Sequence, residues 1–325
     1  MYTNTKNIPL SVAVFLATDN YDHSSDPKEI SVTTLIKPTR QIVLQARAQE
    51  ETPESAGVGD ISDLVPSRLG TAVHEGIENA WMKPQAAMTK LGYSKAVVDS
   101  IVVNPEPSEV QEGQLPVYLE KRAKKEIAGR IVSGCFDFCG GGSLGDFKNT
   151  GTFMFTKKKS DGKYILQGSI YRWLNPDIVT DDVMHIYFIF KDWSANKAKG
   201  SDSYPQSSVH DYRLNMMTYE DTEKYIKDKI NEIHKCMEME ESQLPLCSDE
   251  DLWMDESEYK YYAKADAKRA TKNFGTDAAS AYHHRALKGV GEVREIKAEP
   301  KACKWCTAVS CSQRDGYISS GILTL

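Results

Sequence analysis

Gly129-Arg-Ile-Val-Ser-Gly-Cys-Phe-Asp137-Phe-Cys-Gly-Gly-Gly-Ser-Leu-Gly-Asp146-Phe-Lys148 is the stretch whose reading decides this chain. An apolar-alternating run through Ile131, Phe136 and Phe138 reaches Asp137, crosses three glycines and returns through Leu144 to Asp146-Phe147-Lys148. The spacing predicts a β-hairpin, with Gly140 to Gly142 supplying positive φ at a tight connection. Side chains alternate along a strand, so Asp146 and Lys148 share one face and Phe147 takes the other. If pairing brings Asp137 to that face, two carboxylates and an ammonium converge, a set able to hold Mg²⁺ or Mn²⁺ and activate a water. The same residues also fit a turn-flanking Asp137 beside a surface Asp146–Lys148 pair.

Working outward, 325 residues give room for one large domain or a domain plus an appendage. Hydrophobic content of 40% and charged content of 26% suit a globular, non-membrane chain. The run Ile8 to Ala17 is interrupted by Pro9 and Ser11 and reads as an initial strand rather than an export signal. A reducing, cytoplasmic setting follows as an expectation, that of the host cell if the chain is viral, so the seven cysteines are candidates for metal ligation or burial. The formal charge of −6 is local: residues 237–258 hold nine acidic side chains and no basic one, and the remainder carries +3. Basic clusters at Lys121-Arg122-Ala-Lys124-Lys125, Lys157 to Lys159 and Lys268-Arg269 read as solvated faces or as a nucleic-acid surface.

Residues 28–47 read as a capped helix jogged at Pro38, with Leu35, Ile42 and Leu44 inward and Arg40 and Arg47 outward; 48–63 read as a polar loop. A helix starting at Pro66 or Ser67 carries Leu69, Val73, Ile77 and Trp81 at four-residue steps as a buried stripe. His74 and Glu78 lie at its edge, and His74 is either a structural histidine or a metal ligand facing the hairpin. Residues 92–128 are less legible, with a strand around 100–103. Tyr164 to Leu174 reads as a helix stopped by Asn175-Pro176, with Gln167 and Tyr171 at i,i+4. Residues 183–192 read as a strand, and Thr218-Tyr-Glu-Asp221 as a capping box opening a helix through Ile226, Ile230, Ile233 and Met237.

His74, Gly134-x-x-Asp137, Asp146-Phe-Lys148 and Gln167-x-x-x-Tyr171, in that order, resemble the RecB-like branch of the PD-(D/E)XK nucleases. The segments Ile30-Ser-Val-Thr-Thr-Leu-Ile-Lys-Pro, Gly70-Thr-Ala-Val-His74, Lys191-Asp-Trp-Ser and Leu246-Cys-Ser-Asp-Glu-Asp-Leu-Trp253 are similar to bacteriophage members of that branch. The resemblance covers roughly residues 28–312. It implies an α/β, restriction-endonuclease-like core with a mixed central sheet flanked by helices over residues 1–235, including an N-terminal helical segment. A cysteine-clamped extension over residues 236–325 would pack on that core. It implies a Mg²⁺- or Mn²⁺-dependent deoxyribonuclease, an exonuclease of phage recombination, replication or host-DNA breakdown. Its partners would be DNA and phage recombination or replication proteins. It also implies metal ligation by His74, Asp137, Asp146 and the Phe147 carbonyl. Lys148 would orient or deprotonate the attacking water, and Gln167 and Tyr171 would position Lys148, water or the DNA backbone. Glu78 is the better of the two acids flanking His74 for support of that site.

Cys303-Lys-Trp-Cys306 and Cys311 place three thiols in nine residues, as a metal site does. The resembled iron–sulfur nucleases keep a fourth cysteine upstream of the histidine helix. Here that place reads Lys37-Pro38-Thr39, and Cys247 is the substitute. A [4Fe–4S] cluster, or Zn²⁺, at Cys247, Cys303, Cys306 and Cys311 is the expectation; Cys135, Cys139 and Cys236 are expected to pack. Two other readings keep parts of this picture. One is an inactive, cysteine-clamped DNA-binding module of the same fold. The other is a metal-dependent hydrolase of another class using the same carboxylates.

Overall fold

The computed structural model describes residues 2–18, 24, 26–51, 59–157, 160–308 and 310–324. Two compact units form: Met1–Ile36 with Ser55–Glu232, and Lys37–Glu54 with Ile233–Leu325. The first is a mixed α/β layer structure. In chain order its start comprises α1 (Leu10–Ala17), β1 (Glu29–Ser31) and α2 (Val32–Leu35). α3 (Thr39–Glu51) belongs to the second unit. The first unit resumes with α4 (Val65–Trp81), α5 (Gln85–Lys90), α6 (Lys95–Ser100), β2 (Ile101–Val103) and β3 (Leu115–Ile127). Then come β4 (Arg130–Gly140), β5 (Ser143–Thr150), α7 (Thr152–Lys157), α8 (Asp161–Leu174) and β6 (Val183–Phe190). α9 (Ala195–Gly200), β7 (Val209–Asn215) and α10 (Tyr219–Met237) complete it.

Seven strands make one sheet in the order β2-β3-β4-β5-β6-β7, with β1 added parallel to β4. β4 and β5 form the expected hairpin, but their pairing spans only Phe138↔Gly145, Cys139↔Leu144 and Gly140↔Ser143. Gly141 and Gly142, at φ 58° and 94°, make the turn; Gly140 does not need positive φ. Beyond that turn β5 runs parallel to β6, while β1 takes the edge of β4 at Ile131–Ser133. Residues 134–137 of β4 therefore face a gap between diverging strands, and the gap is where the site forms. β6 alternates half-buried and buried residues, placing Met184, Ile186, Phe188 and Phe190 in the core with Phe136, Leu144, Ile170 and Trp173. Each such side chain contributes about 1.5–3 kcal/mol by leaving water. α8 packs on β3, β4 and β7, and α4 on β3 and β5.

Several expectations are corrected. Residues 28–47 are not one helix: Glu29–Ser31 is a strand, because its backbone pairs with β4, and only then do α2 and α3 follow. α3 continues to Glu51, into the stretch expected as loop; residues 52–58 of that stretch, and 158–159 of the Lys157–Lys159 cluster, lie outside the described residues. The α4 stripe is only half-buried, and Leu69 is 42% exposed, since this helix borders an open cleft. Within the illegible 92–128 region lies the thirteen-residue β3, which carries the Lys121–Lys125 cluster; Lys124 pairs with Glu29 and Lys125 with Tyr219. The run Ile8 to Ala17 is helix α1 rather than a strand.

The second unit contains α3, the end of α10 and a small antiparallel sheet. That sheet has the order β10-β8-β9 and is built from β8 (Glu258–Tyr262), β9 (Lys272–Asn273) and β10 (Glu292–Ile296). α11 (Ala278–Lys288) packs on it, and α12 (Ser312–Ser319) follows. The two units divide after Glu232, and α3 groups with the C-terminal residues. Arg40, expected outside, is 1% exposed and donates to the Leu244 carbonyl at 3.0 Å and Ser312 Oγ at 2.9 Å while pairing with Glu241. Arg47 is half-buried and donates to the carbonyls of Cys236, Met237 and Met239. A buried guanidinium needs such partners, and for Arg47 the carbonyls at and just beyond the end of α10 supply them. No helix among the described residues is long and apolar enough to cross a membrane.

Candidate metal centre

A cleft of about 730 Å³ in the first unit is lined by every residue the motifs singled out there: His74, Asp137, Asp146, Phe147, Lys148, Gln167 and Tyr171. The β4–β5 register, carried one step past its last pair, sets Asp137 across from Asp146. The strands have already parted there, so the Phe147 N–H donates to Asp137 Oδ2 at 3.0 Å instead of to a strand carbonyl. Asp146 is 4% exposed, and Lys148 Nζ stands 2.6 Å from its Oδ2, 5.7 Å from the Tyr164 ring centre. That approach is an ion pair without hydrogen-bond alignment, which leaves Asp146 Oδ2 buried with no aligned donor. Phe147 turns its ring the other way, against Phe138 and Tyr187.

His74 reaches in from α4. Its Nε2–H donates to the Phe147 carbonyl at 2.9 Å, and its Nδ1 lies 3.5 Å from Asp137 Oδ2. From α8, Gln167 Nε2 donates to the Tyr171 hydroxyl at 3.0 Å. Gly134 explains the first position of the Gly-x-x-Asp motif: a Cβ there would meet Tyr171 Cε1 and Val32 Cγ2 at 2.8 Å each. Only glycine lets α8 and α2 close onto β4 at this point.

The electrostatics reflect crowded charge. Burial pushes the Asp146 carboxyl up, opposed by Lys148 and reinforced by Asp137. Burial is the largest influence on the Lys148 ammonium and works to lower it, but the Asp146 charge and hydrogen bond, with Asp137 and Tyr164, together hold it above its ordinary value. His74 is raised by its Asp137 partner, against partial burial. Tyr171 is pushed up by burial, so its proton stays on the oxygen.

Sequence reasoning missed Glu120. It stands on β3 between the pairs Leu119↔Phe138 and Lys121↔Phe136, opposite Asp137, at φ 44°. His74, Glu120 and Asp137 offer ligand atoms that all lie within 4.8 Å of one another, the one such group of His, Cys, Asp or Glu among the described residues. Desolvation in the cleft, then the Asp137 charge, pushes the Glu120 carboxyl up to about 7. A signal was available: a two-residue turn at Ala128-Gly129, flanked by Ile127↔Arg130, pairs Glu120 with Asp137 by simple counting.

In the second unit Cys247, Cys303, Cys306 and Cys311 form no group of that kind, against the expectation of a preformed tetrahedral site. Cys303 and Cys247 pack around Leu252 and Leu323, whereas Cys306 and Cys311 pack around Val43, Leu44 and Leu244. They are nonetheless neighbours. The Cys247 thiol is pushed up to about 12 by burial, then by Asp251 and by Cys311, and Cys303 is raised by burial and then by Cys306 and Cys311. Cys139 and Cys236 are buried packing residues, and the Cys135 thiol donates to Glu120 at 3.7 Å.

No family model and no curated protein matches the chain. A solved structure described as the crystal structure of SSO0001 is similar at 17% identity and a TM-score of 0.36, covering 65% of this chain and 78% of that one. A likeness of that degree carries no argument.

Proposed function

We propose that this chain is a Mg²⁺- or Mn²⁺-dependent deoxyribonuclease of the RecB-like PD-(D/E)XK type, an exonuclease serving phage DNA recombination, replication or host-DNA breakdown. The observation that carries this reading is the buried Asp146, whose Oδ2 has no aligned donor, set across from Asp137 with Lys148 alongside. Two facing carboxylates, one of them buried and neutralised only by Lys148, suit a hard divalent cation. His74, Asp137, Asp146 and the Phe147 carbonyl, which all line the cleft, would hold it. When bound, such a cation neutralises charge on a phosphoryl oxygen and lowers the pKa of a water.

The side chains supply the rest. Lys148, kept protonated by Asp146, donates from Nζ to the attacking oxygen or to a phosphate oxygen as charge develops there. Tyr171 keeps its hydroxyl proton and is oriented by Gln167, so it donates to a water or phosphate oxygen entering beside Lys148. The reading includes a structural metal, iron–sulfur or zinc, at the four C-terminal cysteines, which rests on the Cys303-x-x-Cys306 and Cys311 spacing, since among the described residues the four thiols do not converge into a ligand group.

The test is an assay on end-labelled linear and closed circular DNA with Mg²⁺ or Mn²⁺. Degradation confined to linear DNA is expected. Cutting of circles would replace exonuclease by endonuclease, and no cutting with either metal would leave a DNA-binding module in its place.

A further inference from the structure

We infer that the module of β8, β9, β10 and α11 in the second unit carries a cationic surface that binds the phosphate backbone of duplex DNA without reading its sequence. The choice of DNA as the polyanion rests on the nuclease reading. The surface shares no residue with the cleft and is tested apart from it.

The basic clusters of the chain differ in what they touch. In the Lys121–Lys125 cluster, Lys124 pairs with Glu29 and Lys125 donates to the Tyr219 hydroxyl, so both hold the fold together. Around Lys268-Arg269 the cations are free. Lys264, Lys268, Arg269 and Lys272 are exposed, and none forms an ion pair or a side-chain hydrogen bond among the described residues. Residues 259–290 hold seven Lys or Arg against two Asp, a formal +5 in a chain whose total is −6. A local field of that sign attracts a polyanion whatever the net charge.

The fold gathers these charges at one end of the module. β8 and β9 pair at Tyr261↔Lys272, so Lys272 shares the face of Tyr261, whose ring meets His284 of α11 edge-on. Tyr261 Oη donates to the Val290 carbonyl at 3.0 Å, which ties the end of α11, with its exposed Lys288, to the end of β8 where the 263–271 loop begins. His284 feels the result: after partial burial, the charges of Lys272, Lys288 and His283 lower its pKa. Of the two acids, Asp277 caps the other end of α11, accepting from the Ser280 N–H at 2.9 Å, and Asp266 is the one carboxylate on the loop.

The loop is pinned by its own backbone. Arg294, 4.1 Å from the centre of the Tyr262 ring, donates to the carbonyls of Ala265 and Ala267. The Thr271 N–H donates to the Tyr261 carbonyl at 2.8 Å, and Thr271 Oγ1 accepts from the Ala263 N–H at 3.1 Å. A loop fixed before binding loses less entropy when its side chains meet phosphates. Alanines at 263, 265, 267 and 270 separate the cations, so the loop offers point charges rather than a shaped set of donors and acceptors for base edges. Duplex DNA, with one charge per about 1.7 Å of axis, is the polyanion whose counterions such charges release.

The experiment follows binding of the full-length protein to a fluorescent duplex by anisotropy, with no added divalent cation, from about 50 to about 200 mM salt. Lys268→Ala/Arg269→Ala should weaken binding by about tenfold and lower the salt slope by about 2, equally for two unrelated sequences. Asp266→Asn removes the loop's carboxylate and should tighten binding by about threefold, a gain that misfolding cannot produce. Lys83→Ala/Lys90→Ala removes two exposed charges of the first unit and should leave the affinity nearly unchanged. Unchanged affinity in Lys268→Ala/Arg269→Ala, an equal loss in the Lys83→Ala/Lys90→Ala control, or weaker binding by Asp266→Asn overturns the inference. So does a wild type that ignores the duplex and binds phosphatidylserine vesicles through Lys268 and Arg269. Cleavage of DNA together with unchanged binding in Lys268→Ala/Arg269→Ala keeps the nuclease reading and removes this surface. Binding through the loop without any cleavage does the reverse.

Discussion

Gly134 on β4 lies so close beneath Tyr171 on α8 that a methyl group at position 134 would sit 2.8 Å from the tyrosine ring. The same methyl would meet Val32 on α2 at 2.8 Å and Leu174 at 3.0 Å. Neither neighbour can withdraw freely, because Tyr171 and Val32 are themselves buried. Gly134→Ala should therefore destabilise the first unit by about 1–3 kcal/mol and tilt Tyr171 away from the cleft. Denaturant unfolding and DNA cleavage measured on the same preparation check both effects. Wild-type stability would mean that α8 shifts without strain.

Lys148→Ala and Asp146→Asn remove the ammonium and the carboxylate charge that the proposed hydrolysis needs. Each should lower Mg²⁺-dependent cleavage by roughly 10²-fold or more. Asp146→Asn also takes the carboxylate partner from the Lys148 ammonium 2.6 Å away, so it should lower the melting temperature as well as the activity, and circular dichroism at the assay temperature separates the two effects. Undiminished cleavage by either variant would remove the assignment.

Glu29 gives the first unit a defined acid sensitivity. Burial raises its carboxyl, but hydrogen bonds from Lys124 Nζ at 2.7 Å, Ser133 and Ser24 Oγ at 2.6 Å, with the Lys124 charge, together hold its pKa down at about 2. A depressed carboxylate stabilises the fold fully above its unfolded value near 4.5, and that contribution is lost as pH falls from there toward 2. Glu29→Gln should therefore cost about 1 kcal/mol at pH 7, after allowing for screening, and almost nothing near pH 2. Urea unfolding of both proteins across that range tests the convergence.

Arg40 is the buried charge of the second unit, tied to Glu241, Ser312 and the Leu244 carbonyl. Arg40→Met takes the guanidinium from the Leu244 carbonyl and the counter-charge from Glu241, which keeps its two hydrogen bonds from Ser312, a loss of about 2–3 kcal/mol. Unfolding monitored in the second unit should show it, and a change below about 1 kcal/mol would mean that water replaces the guanidinium.

Metal analysis decides the cysteines. Anaerobically purified protein should carry about four irons or about one zinc per chain. Cys303→Ser should lower that content, whereas Cys236→Ser, within the Val43–Leu44–Leu244 cluster, should lower stability and leave the content unchanged. Absence of both metals in wild type would remove the structural-metal proposal.

Elements with local signals were legible in the residues themselves. The Gly141-Gly142 turn, the β6 alternation, the α8 helix and the capping box at Thr218 follow from residue periods and from what glycine and threonine do at fixed offsets. The carboxylates and lysine of the cleft were legible for the same reason, since one hairpin fixes their spacing. The remaining features depend on pairing between distant segments. Glu29–Ser31 is a strand because β4 has a free edge beside it, and Arg40 is buried because residues two hundred positions later close over it. Glu120 joins the hairpin's site because β3 lies antiparallel to β4, and no propensity at position 120 announces that neighbour. The opening hairpin placed two acids and a lysine, and the strand beside it brought Glu120 opposite Asp137.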